Sequence, residues 1–109
     1  MSRYKRGDVV LVKYPWEEDG RIFFKKRPGV VLEELADRES LIIKCTHVNR
    51  SDKLLGIWVL ANSKEGLEMG ILENTFINLT EMLELKNSEI DRVIGYCPFI
   101  DRIDEMLGR

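Results

Sequence analysis

Hydrophobic residues in this chain come in short runs of four to eight, separated by polar turns, and the runs favour the period of a strand. Asp8 to Tyr14 is valine-rich and partly alternating, so it predicts a first strand, with Pro15 expected to stop it. Pro28 to Leu35 predicts a second strand and Leu41 to Val48 a third, joined by the polar connection from Ala36 to Ser40. Trp16 to Lys26 reads as a polar loop turning at Gly20, although Ile22, Phe23 and Phe24 are unusual company for a solvated loop. Asn49 to Leu55 is a polar excursion. Gly56 to Leu60 predicts a fourth strand, Ser63 to Gly70 a charged loop, Ile71 to Leu79 a fifth strand and Met82 to Leu85 a short sixth.

The period changes near the end. Ser88 with Asp91 three residues on resembles a helix N-cap, and Ile90, Val93 and Ile94 fall at helical spacing, so a short helix ending at Gly95 is expected. After Pro98, the residues Phe99, Ile103, Met106 and Leu107 share one face and predict a C-terminal helix. The expected fold is mainly β (α+β): a small, strongly bent antiparallel β-barrel with a short helix and a C-terminal helix.

Composition narrows the class. The 109 residues suit one domain, 1–109, with one modest core; there is no repeat, low-complexity stretch or linker. No apolar run is long enough to span a membrane. No export signal is read at the basic N-terminus, so a cytoplasmic location is expected. Cys45 and Cys97 sit far apart in apolar runs and are expected as buried free thiols.

Net charge is −2. Residues 1–30 nonetheless hold eight Lys/Arg against four acids, leaving nine against fifteen for the rest. That asymmetry is either a local phosphate footprint or ordinary surface scatter.

Three sequence elements resemble the MazF/PemK family of toxin endoribonucleases. They are the opening Gly7-Asp8-Val9-Val10, the element Arg27-Pro28-Gly29-Val30-Val31-Leu32, and the ordered tail of Gly66-Leu67, Thr75-Phe76-Ile77, Ser88 to Gly95 and Pro98. Together they cover about residue 6 to residue 107. The resemblance implies an SH3-like barrel, a homodimer, a cognate antitoxin as partner and single-stranded RNA as substrate. It implies metal-independent cleavage by 2′-OH attack with no cofactor, and it puts Arg27 and Thr46 at the catalytic centre.

The residue types suit those tasks. An arginine's planar donors grip two phosphate oxygens at once and stabilise a phosphorane. A threonine hydroxyl after an apolar strand can donate to the same phosphate. No general base is evident; Glu65, Glu68 and Glu73 read as solvated surface. His47, the only histidine, is expected to point away from Thr46 because strand neighbours alternate, unless a bulge re-aims it.

Lys25, Lys26 and Arg21 are candidate RNA contacts in the loop before Arg27. Trp16 and Phe24 are candidate stacking faces for bases, or alternatively a cover for a dimer seam or an antitoxin segment. This loop is longer than the family's usual one and lacks its glutamine. His47 stands where a small residue is usual, and Thr75 where serine is common.

Two other readings remain open. One is a non-catalytic RNA- or protein-binding member of the same fold. The other is a CcdB-type gyrase-binding toxin, which the ending Met106-Leu107-Gly108-Arg109 disfavours. Metal patterns, phosphate-binding glycine loops and acyl-hydrolase triads are all missing from the sequence.

Overall fold

In a computed structural model, residues 4–36 and 38–109 are described. Arg3, part of the basic N-terminal count, and Asp37, in the second connection, lie outside them.

The elements in chain order are β1 (Asp8–Glu18), β2 (Arg21–Glu34), β3 (Glu39–Thr46), β4 (Gly56–Val59), α1 (Lys64–Met69), β5 (Thr75–Lys86), β6 (Ile90–Tyr96) and α2 (Ile100–Leu107). All six strands belong to one antiparallel sheet in the order β4-β5-β3-β2-β1-β6. The expected class holds: mainly β, a small curled half-barrel with one short and one C-terminal helix.

The curl has an identifiable cause. Register slips fall at Val31/Glu33, at Ile43/Cys45, and twice between β1 and β6, at Val9/Val10 and Leu11/Val12. Each unpaired residue bends its strand and adds twist. The bent sheet wraps a main core that includes Val9, Val30, Leu32, Ile43, Cys45, Met69, Ile77 and Ile103. On the opposite face Val10, Val12, Val31 and Ile42 meet Tyr4 and Ile90 in a second, smaller cluster. Neighbours in sequence therefore bury on opposite faces, which explains the continuous runs Val9-Val10-Leu11-Val12 and Val30-Val31-Leu32.

Several expectations are corrected. The stretch from Trp16 to Lys26 is not a loop. It forms the outer half of a long hairpin, paired from Val12↔Arg27 to Glu18↔Arg21. Asp19 and Gly20 both take positive φ at its tip, as a two-residue turn between twisted strands requires. Pro15 does not stop β1, because β1 loses its second neighbour after Val12 and an edge strand tolerates proline.

The short helix lies elsewhere than expected. Ser88 lies inside a 3₁₀ turn, Asn87–Glu89, whose N-cap is Lys86 and in which the Glu89 carboxylate accepts from the Lys86 N–H at 2.9 Å. Residues 90–96 are strand β6, where Val93 is exposed while Ile90 is buried, a pattern no helical face would give. The short helix is α1, in the stretch read as a charged loop. Ser63 caps it by accepting from the Gly66 N–H, and Gly70 closes it in the left-handed conformation.

The supposed sixth strand, Met82–Leu85, continues β5, which begins at Thr75 rather than Ile71. The C-terminal helix stands as expected. Its Ile103 is fully buried, Phe99, Met106 and Leu107 pack on the main core, and Arg6 pairs with Asp104.

Both cysteines are free and buried. Burial, with Cys97 nearby, raises the Cys45 thiol pKa far above its ordinary value; burial pushes Cys97 up to about 11. Burial also pushes the Tyr14 hydroxyl up to about 12. The unfolded chain releases these protons near 9 for the thiols and 10 for the phenol. Between those values and the raised ones the folded state binds more protons, so stability is full below pH 9 and falls as pH climbs through that window. Each group contributes at most about 1.4 kcal/mol per pH unit, and Tyr14 less, since part of its ring meets water. Urea midpoints should stay level from pH 7 to 8.5 and decline steadily above pH 9. A midpoint unchanged at pH 11 would mean that these groups titrate freely in the folded protein.

Candidate functional site

The hairpin enters the sheet at Val12↔Arg27, so Arg27 stands where the exposed ribbon becomes core. On the adjacent strand β3 ends at Thr46, opposite Phe76 on β5. Between these points lies a cleft of about 400 Å³. Lys26, Arg27 and Pro28 of β2 line one side, and Cys45, Thr46 and His47 another. Residues 70–73 after α1, with Thr75, close it, and Arg92 and Ile94 of β6 complete it. Leu11, Pro28, Cys45, Ile71, Leu72 and Ile94 supply an apolar lining; apart from Gly70, the remaining residues are ionic, hydroxylic or the His47 imidazole.

The Arg27 guanidinium donates to His47 Nδ1 at 3.0 Å. Guanidinium groups only donate, so Nδ1 accepts and the ring proton belongs on Nε2. Thr46 Oγ1 accepts from the Val48 N–H at 3.1 Å, which leaves its own proton for another acceptor. The same local bond shows why His47 does not point away as strand alternation predicts. Regular pairing ends at Thr46, the backbone bends at residues 47–48, and His47 lines the cleft alongside its neighbour.

The structure thus brings together four of the sequence-derived candidates: Lys26, Arg27, Thr46 and His47. The other four stand on the hairpin, outside the cleft. Trp16 stacks on Phe23 with ring centroids 5.0 Å apart, and Lys25 Nζ lies 4.8 Å over the Trp16 ring. Phe24 pairs with Pro15 and projects from the opposite face of the ribbon, 66% exposed. Arg21 lies at the tip opposite Glu18.

Three polar lining residues are not among the sequence-derived candidates. Glu73, expected as solvated surface, is exposed but stands on the cleft wall. Arg92 and Thr75 come from elements whose register alone brings them here, with Leu11↔Arg92 and Val59↔Thr75. No local pattern marks Arg92; Thr75 is marked only as standing where the family commonly has serine.

The wall opposite β2 is set by a close backbone approach. A Cβ on Gly70 would lie 2.0 Å from the Ile94 carbonyl oxygen, and one on Gly95 would lie 2.4 Å from Glu68 and Met69 backbone atoms. Two glycines therefore let α1 rest directly on β6.

Chemically the cleft offers three fixed cations, one carboxylate, one imidazole and two hydroxyls over an apolar floor. That set suits an anionic ligand with polar donors and acceptors of its own. No helix is long and apolar enough to cross a membrane among the described residues. In comparisons with known proteins, no protein-family model and no curated protein matches this chain.

Proposed function

We propose that this protein is an endoribonuclease of the MazF/PemK toxin type, cutting single-stranded RNA without a metal ion. The observation that carries the reading is the convergence of the Arg27 guanidinium, the Thr46 hydroxyl and the His47 ring in one open cleft. These are the two residues assigned to catalysis by family resemblance, together with a group that orients one of them.

In the reaction, the ribose 2′-oxygen bonds to the adjacent phosphorus and the bond from phosphorus to the 5′-oxygen breaks. Arg27 stabilises the phosphorane charge, and Thr46 donates to a non-bridging oxygen. Glu73 is the carboxylate of the cleft wall and takes the 2′-proton. The leaving 5′-oxygen takes a proton from water in the open cleft, the resulting hydroxide takes the proton held by Glu73, and the products are a 2′,3′-cyclic phosphate and a 5′-hydroxyl. The reading also carries a homodimer, a cognate antitoxin that occupies the RNA surface, and a cytoplasmic location.

Purified protein should cut a long single-stranded RNA in excess EDTA and leave cyclic phosphate ends, or the 3′-phosphate derived from them. Strict dependence on Mg²⁺, or 3′-hydroxyl ends, would exclude this mechanism. Binding of RNA with no cleavage would favour the non-catalytic reading instead.

A further inference from the structure

Lys26 and Arg27 are consecutive on β2, so their side chains leave the strand on opposite sides although both line the cleft. They also have different company. Arg27 is turned to His47. Lys26 Nζ lies 3.2 Å from Asp91 Oδ2, and Arg92 NH1 lies 3.3 Å from the same oxygen. Asp91 is the residue that the β1–β6 register skips, since Leu11 pairs with Arg92 and Val12 with Ile90. That bulge aims the Asp91 carboxylate across β1 towards Lys26.

Two cations from strands that do not pair therefore converge on a single anionic oxygen. A phosphate oxygen has the same charge and accepts from the same donors. Lys26, Arg92 and Asp91 together keep one net positive charge. Both cationic side chains are more than half exposed, and exposed pairs of this kind hold by only about 0–1 kcal/mol, so an incoming phosphate meets little resistance.

We infer that the cleft grips two phosphates of one strand: the scissile one on Arg27 and a flanking one between Lys26 and Arg92. This rests on the ribonuclease reading and sharpens its substrate to an oligonucleotide with at least two charged linkages. A free mononucleotide or inorganic phosphate fills only one station.

The test uses the full chain and short, uncleavable 2′-O-methyl RNA in which one linkage at a time is a neutral methylphosphonate. Fluorescence anisotropy at low salt reads the affinity. The protein should show two sensitive linkages, each costing at least roughly tenfold, the scale of a lost charged hydrogen bond. In the Lys26→Ala/Arg92→Ala variant one sensitivity should vanish and the other remain; in Arg27→Ala the pattern should reverse. A single sensitive linkage, or the same linkage silenced in both variants, would overturn the inference. Cleavage of long RNA, measured in parallel, separates the two ideas. Cutting with one sensitive linkage rejects the second station alone. Two sensitive linkages without cutting reject the reaction and support the paired stations. No binding of any oligonucleotide rejects both.

Discussion

Replacing Arg27 with alanine is expected to lower the cleavage rate by on the order of 10²–10³, the loss seen when one donor to a developing oxyanion is removed. The fold should survive. Arg27 is only partly buried, and among the described residues its side chain bonds to His47 alone, in an open cleft. Thr46→Ala removes a second donor and should cost as much or less, and Glu73→Gln tests the proton acceptor directly. His47→Ala should keep most activity, because His47 is bonded through Nδ1 to Arg27 and acts by holding that side chain. Single-turnover rates on one defined RNA, with far-ultraviolet circular dichroism as the check on folding, would rank the four. An inactive His47→Ala beside an active Arg27→Ala would put the reacting phosphate against the imidazole instead.

The largest expected effect on stability is at Gly70. It has φ near +72°, where an L-residue costs about 1–2 kcal/mol. An added methyl would also lie 2.0 Å from the Ile94 carbonyl oxygen, so β6 and α1 must separate, at a further cost of about 1–3 kcal/mol. Gly70→Ala should therefore lose roughly 2–5 kcal/mol and loosen the cleft wall that carries Ile71 and Glu73. Gly20→Ala is the internal control. Its φ is similar, +75°, but nothing lies within 4 Å of the added carbon, so only the backbone term of about 1–2 kcal/mol applies. Urea unfolding of the two variants compares them on one scale. Equal losses would show that the approach of α1 to β6 relaxes freely and that the wall is not set by Gly70.

The hairpin illustrates how a correct local signal was misread. Ile22-Phe23-Phe24 looked out of place in a polar loop because those residues are not in a loop; they alternate along a paired ribbon. Proline at 15 argued for a stop only under the assumption of neighbours on both sides. In β6 the apolar spacing of Ile90, Val93 and Ile94 imitated a helical face. The bulges at Asp91 and Ile94 break the alternation that identifies a strand, and spacing alone cannot distinguish the two cases. In α1, expected as a charged loop, six residues are too few for an amphipathic period to show.

The sequence by itself determined the fold class, the turn glycine of the first hairpin, the C-terminal helix and the buried thiols, because each depends on local period, turn chemistry or the apolar character of a run. It also singled out Arg27 and Thr46, which mark where a strand enters the core and where another leaves it. Tertiary structure alone decided which side chains share the cleft. Glu73 and Thr75 come from the stretch that leads into β5 and Arg92 from β6, and only the curl of the sheet and the register of β1 with β6 bring Arg92 beside Lys26. Contacts between residues far apart in sequence depend on how bulges bend a sheet. A bulge is a property of the pairing between two strands, so the residues of either strand read alone do not reveal it.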